Sequence, residues 1–154
     1  MSEHEFYTFR EYMKNEHELL TPSAEDYLEM IYRLSTANGF TRVNDLAIAL
    51  NVQPPSVTRM VKKLSYRNLI KYERYGVILM QPSGLKKGEE LIARHNLVEN
   101  FLRFLNIEHD LLEETEKVEH TINAEILCGF QDLLDFFHEN PDLLEQFQQF
   151  RTQR

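Results

Sequence analysis

The sequence predicts a mainly α-helical protein, an N-terminal winged helix-turn-helix followed by an all-helical dimerisation domain. Apolar residues recur at helical spacing along most of the 154 residues, interrupted once by two short β-type runs at 69–73 and 77–80. Three helices followed by a hairpin is the order of a winged helix. Charge gives the third indication. The formal net charge is −8, yet residues 40–75 hold seven Lys/Arg against two Asp/Glu, a local net of +5. One basic stretch between acidic flanks marks a confined polyanion-binding face beside a region that attracts cations.

Residues 1–20 form an extension whose weak stripe of Phe6, Phe9 and Met13 is compatible with a short docking helix. The first firm helix starts at Thr21-Pro22-Ser23, which supplies an N-cap and a proline at N1, and runs to near Gly39. Tyr27, Met30, Ile31 and Leu34 make its apolar stripe. A second helix, about 43–50, buries Val43, Leu46, Ala47 and Leu50. Asn51-Val52 turns the chain into a third helix, about 54–68, with Val57, Met60, Val61 and Leu64 inside. The hairpin then closes a DNA-binding domain of residues 21–82. Residues 83–154 form the second domain. It opens with a long helix, about 84–106, carrying Leu91, Val98, Leu102 and Leu105 on one face. The stripes that follow are Leu127, Phe130, Leu134 and Phe137, then Leu143, Leu144, Phe147 and Phe150. That much aromatic surface exceeds what so small a domain buries alone, so a homodimer is expected.

Several classes are excluded at this stage. No apolar run approaches the ~18 residues of a membrane span. Five Glu within the first twenty residues are incompatible with a signal peptide. A single cysteine, Cys128, rules out an internal disulfide and a Cys-rich zinc finger. The expected location is cytoplasmic.

The third helix carries the first functional signal. With Val57, Met60, Val61 and Leu64 inward, Ser56, Thr58, Arg59, Lys62 and Lys63 turn outward. A basic, hydroxylated helix face behind a tight turn suits the major groove of double-stranded DNA. Its N-terminal residues are placed to read base edges, whereas Lys62, Lys63 and Arg67 approach phosphates, as does Arg74 from the wing. A solvated charged face is the plain alternative for that helix taken alone; the turn before it and the hairpin after it favour DNA.

The second signal is a set of carboxylates and imidazoles. Asp26 and Glu29 stand three residues apart, beside the first helix's apolar stripe. Glu116, Glu119 and His120 share one side of a helix, and His95 lies on an apolar face between Leu91 and Val98. Four carboxylates and two imidazoles without a thiolate suit divalent manganese better than zinc or copper. Simpler roles stay open: Asp26 as the capping-box partner of Ser23, the Glu pair as solvated helix residues, and His95 as a satisfied core residue.

These residues resemble the diphtheria-toxin-repressor family of metalloregulators. Similarity lies in the run from Thr21 to Glu29, in the run from Val52 to Leu64, in Arg94-His95-Asn96-Leu97-Val98-Glu99 and in Val118-Glu119-His120, and spans roughly residues 21–140. The manganese-dependent branch fits best. The resemblance implies that Asp26, Glu29, His95, Glu116, Glu119 and His120 ligate two Mn2+ ions per subunit. Iron-sensing members place Met where Asp26 stands and Cys where Glu116 stands. Pro55 departs from the family, removing a hydroxyl, and the wing lacks an Arg-Gly pair common in relatives.

The expected function is therefore a manganese-responsive repressor of manganese-uptake genes, a homodimer on a palindromic operator, and not an enzyme. A two-metal hydrolase would also use clustered carboxylates and histidines, but the chain shows no strand-end metal motif. A winged-helix regulator sensing iron, zinc or an organic ligand is the alternative.

Overall fold

The computed structural model describes residues 20–153, so the docking helix considered for residues 1–20 lies outside the described residues. The chain forms two compact units, one ending at Leu85 and the other beginning at Lys86. Among the described residues, no helix is long and apolar enough to cross a membrane.

Helix α1, Pro22–Ser35, begins where the proline and threonine direct it. Thr21 is the N-cap, its hydroxyl accepting from the Ala24 amide at 3.2 Å, and Pro22 occupies the first turn, where no amide is needed. Ser23 is therefore inside the helix and does not form a capping box with Asp26. The helix stops at Ser35, short of the expected Gly39. Gly39, at φ +78°, donates to the Ser35 carbonyl at 2.7 Å and turns the chain out of the helix. The buried face is Ala24, Tyr27, Leu28 and Ile31, with Ser35. Met30 and Leu34, expected inside, are half-buried, because spacing from Ala24 through Leu28 and Ile31 sets the face slightly to one side of theirs.

Strand β1, Phe40–Arg42, follows, then α2, Val43–Leu50, and α3, Pro54–Tyr66. Asn51 links the two helices in the left-handed conformation, at φ 53°. Strand β2, Ile70–Tyr72, a 3-10 turn over Arg74–Gly76 and strand β3, Val77–Met80, form the wing. β3 is central in an antiparallel sheet ordered β1-β3-β2, with Thr41 opposite Ile78 and Tyr72 also opposite Ile78. The sequence reading contains the hairpin but not β1, which is too short to show alternation. Leu28, Ile31, Leu46, Val57, Val61, Leu64, Ile70 and Ile78 form the first unit's core. Leu50 and Met60, expected inside, are half-buried. α3 ends at Tyr66, short of the expected Asn68, whose φ of 58° is incompatible with continuing the helix.

Helix α4, Pro82–Phe104, starts in the first unit. Its first turn is tied to the wing: the Gln81 amide donates to the Leu69 carbonyl at 3.0 Å, and the Ser83 hydroxyl to the Asn68 carbonyl at 2.7 Å. Gly84 makes that approach possible.

The second unit contains the rest of α4 with α5, Leu111–Glu119, α6, Ala124–Glu139, and α7, Pro141–Thr152. Rings lock α4, α6 and α7 together. Phe101 stacks on Phe130 at 3.9 Å, while Phe104 lies 5.1 Å from both Phe137 and Phe147. Arg151 donates to the Leu105 carbonyl. Leu127, Phe130, Leu134, Phe137, Leu144 and Phe147 are only half-buried, and Leu143 and Phe150 are exposed. Ile126, Leu133 and Phe136 also face outward. An apolar surface this extensive is the mark of an association face.

An alanine Cβ at position 84 would overlap the Leu69 carbonyl oxygen and reach within 2.8 Å of its carbon, neither of which is a flexible side-chain end. Gly84→Ala is expected to cost about 1–3 kcal/mol and to lower the melting temperature by several degrees, which circular dichroism melts of the two proteins will measure.

Candidate functional site

In the first unit, the core residues Val57, Val61 and Leu64 fix the rotation of α3. Arg59, Lys62 and Lys63 are consequently exposed, as is Arg67 just beyond the helix; Ser56 and Thr58 are half-exposed. The Thr58 hydroxyl donates to the Pro54 carbonyl at 3.2 Å, which leaves its oxygen able to accept, and Arg59 reaches the Ser56 hydroxyl at 3.4 Å. Arg74 is exposed on the wing. Two further residues, Arg42 of the basic stretch and Tyr75 of the wing, had no role assigned from the sequence. Arg42 donates to the Tyr75 carbonyl at 3.4 Å, bracing the wing against β1. Tyr75, at φ 61°, is 91% exposed at the wing's tip, where an aromatic ring has no core to fill. Lys71, counted in the basic stretch, is ion-paired with Glu73 at 2.7 Å.

The same unit holds Asp26 and Glu29 one helical turn apart on α1. Asp26 is half-buried and Glu29 is buried. Arg33 forks onto one Glu29 oxygen, with Nη2 at 2.7 Å and Nε at 3.0 Å.

In the second unit, α4 and α5 bring four of the expected ligands together. Glu119 is fully buried, and its Oε1 lies 3.0 Å from Nδ1 of buried His95. Glu116 Oε1 approaches the same Nδ1 at 3.5 Å, and Glu116 Oε2 lies 3.8 Å from His120 Nε2. His120 caps the C-terminal end of α5, so the spacing of Glu116, Glu119 and His120 does place them on one side. The His120 imidazole is the main cause holding the Glu116 carboxyl below its ordinary value of 4.5; the charge of His95 adds to it, and partial burial opposes both. Glu99, quoted in the sequence only within the run that carries the resemblance and given no role there, places Oε2 3.6 Å from His95 Nε2 and is itself held by Arg103 at 2.7 Å. Its position one turn after His95 is the signal that would have found it.

Two carboxylate oxygens thus crowd one ring nitrogen, which carries at most one proton. Such convergence is what a cation satisfies. Carboxylate and imidazole donors without a thiolate fit a divalent ion of the hard to borderline kind. The residues present therefore fit a metal.

Comparison with known proteins agrees with both halves. Residues 19–78 match the family described as iron dependent repressor, N-terminal DNA binding domain, and residues 81–148 match its metal binding and dimerisation domain. The chain is 38% identical over 134 residues to the HTH-type transcriptional regulator MntR of Lysinibacillus sphaericus (strain C3-41), covering 86% of this chain and 96% of that protein. It is 40% identical over 126 residues to the MntR of Geobacillus kaustophilus (strain HTA426), covering 81% and 89%. Among solved structures, that of the manganese regulator SloR is similar with a TM-score of 0.67 and 29% identity, covering 76% of this chain. The match spans about half of that longer chain, 55%.

Glu119 separates charge from packing. Glu119→Gln keeps an oxygen for His95 and nearly the same volume, so its metal-free melting temperature should stay within about 4 °C of the parent's, a shift of roughly 1 kcal/mol. Glu119→Ala deprives His95 of its acceptor inside the unit and should lose about 1–3 kcal/mol. Equal melting of the two variants in chelator would contradict this assignment.

Proposed function

Since the chain belongs to the iron-dependent repressor family, we propose that it is a manganese-responsive DNA-binding transcriptional repressor, a regulator and not an enzyme. The carrying observation is the His95–Glu116–Glu119–His120 cluster, which offers carboxylate and imidazole donors and no sulfur. Printed names of the relatives, MntR and the manganese regulator SloR, support manganese as the ion.

In this reading the ligands of two Mn2+ ions per subunit are Asp26 and Glu29 from the DNA-binding domain, residues 21–82, and His95, Glu116, Glu119 and His120 from the dimerisation domain, residues 83–154. Asp26 and Glu116 are the two positions at which the iron-sensing pattern has Met and Cys, and both carry hard oxygen donors here. The bound ions supply the positive charge that holds these carboxylates together. Without them, carboxylate repulsion leaves the DNA-binding domains of a homodimer a broader range of positions. With them, the range narrows to arrangements that set two recognition helices into successive major grooves, ~34 Å apart, on a palindromic operator.

On the DNA side, Ser56, Thr58 and Arg59 face base edges and Lys62, Lys63, Arg67 and Arg74 face phosphates. Pro55 presents no hydroxyl at its position, so the hydrogen-bonding load falls on Ser56 and Thr58. The genes controlled are those of manganese uptake, and the repressor acts in the cytoplasm.

The direct test is operator binding by fluorescence anisotropy in manganese and in chelator. Manganese is expected to tighten binding roughly 5- to 150-fold. A dimer making ~6–10 phosphate contacts should lose about 10³–10⁵ in affinity between 50 and 200 mM salt. Equal affinity in manganese and in chelator would sink the regulatory reading.

A further inference from the structure

Arg94, one residue before His95 on α4, sits inside the second unit's ligand cluster. Its Nη2 lies 3.2 Å from His120 Nδ1 and its Nε 3.7 Å from Glu119 Oε2. Its side chain is only 15% exposed, and Glu119 is not exposed at all. Glu116 and Glu119 both crowd His95 Nδ1, so two negative groups meet beside a guanidinium that brings lasting positive charge.

The contact with His120 has a consequence set by valence. A guanidinium has N–H donors only, no acceptor, and stays charged at any pH the protein survives. Nδ1 of His120 must therefore be the acceptor, and its lone pair is occupied by Arg94. A metal bound at Nδ1 needs that same lone pair. A metal bound at Nε2 forces the ring proton onto Nδ1, where it would face the N–H of Arg94. Neither arrangement keeps the contact.

We propose that Arg94 is a positioning residue that serves as the cluster's resident cation: it balances Glu116 and Glu119 and holds His120 while the metal is absent, and gives way when metal binds. Arg94 then competes with the ion and raises the metal concentration at which the repressor switches. The inference rests on the function proposed above. A side chain that only buttressed Glu119 would support the metal-free and the loaded protein alike.

The experiment uses the full chain and its Arg94→Gln and Arg94→Lys variants, with manganese affinity from calorimetry and melting in chelator and in saturating manganese. Arg94→Gln should bind manganese at least about fivefold more tightly, the lower end of coupling between sites. It should melt lower than the parent in chelator and level with it in manganese. Arg94→Lys keeps the charge and should fall between the two, and it carries the test should the glutamine variant fold poorly. Unchanged or weaker manganese binding in both variants, or equal losses of melting temperature in both conditions, would overturn the role of Arg94 while leaving the proposed function standing. A parent chain that takes up no manganese would overturn both.

Discussion

Glu119 is a carboxylate with no exposure to solvent, and the second unit is arranged around that fact. Removing an ion of this size from water costs several kcal/mol unless partners replace the lost hydration. His95 at 3.0 Å and Arg94 at 3.7 Å are two such partners. Their placement requires α4 and α5 to lie side by side at one register, with Leu91 and Val98 on α4 and Thr115 on α5 buried around them. A hydrophobic residue would fill the same space at less cost. In the proposed function the charge has a use, as a donor to a bound cation.

The first unit solves a different problem, that of presenting charge outward. α3 has a buried side of Val57, Val61 and Leu64 and an exposed side of Arg59, Lys62 and Lys63. The left-handed Asn51 sets the turn before it, and the Leu69 carbonyl, shared by Gln81 and approached by Gly84, ties the helix's exit to the start of α4. Helix α4 leaves the wing at Pro82 and runs without interruption past His95 to Phe104.

Much of this was legible in the sequence, for stated reasons. Thr21-Pro22, Asn51 and the 3.6-residue spacing of apolar positions fixed where α1, α2 and α3 lie, and the two β-type runs at 69–73 and 77–80 marked the hairpin. β1 was not legible, since three residues pairing with β3 leave no periodic trace. Helix ends at Ser35 and Tyr66 fell short of the punctuating Gly39 and Asn68, which belong to the turns after them. Of the cluster, the carboxylates and histidines stood out by type and spacing, and only the resemblance joined them into one ligand set. Arg94 and Glu99 did not, because an arginine beside a histidine or a glutamate one turn away acquires meaning only when α5 is packed against α4.

The proposed regulation requires the ion and the operator to be bound by one coupled system. Coupling of this kind is reciprocal: whatever factor manganese adds to DNA affinity, DNA must add to manganese affinity. Calorimetric titration of manganese into the chain alone and into the chain saturated with operator DNA measures that factor from the metal side. Manganese should bind more tightly on DNA, by the same factor that manganese tightens DNA binding. Identical manganese affinity in the two titrations would contradict it.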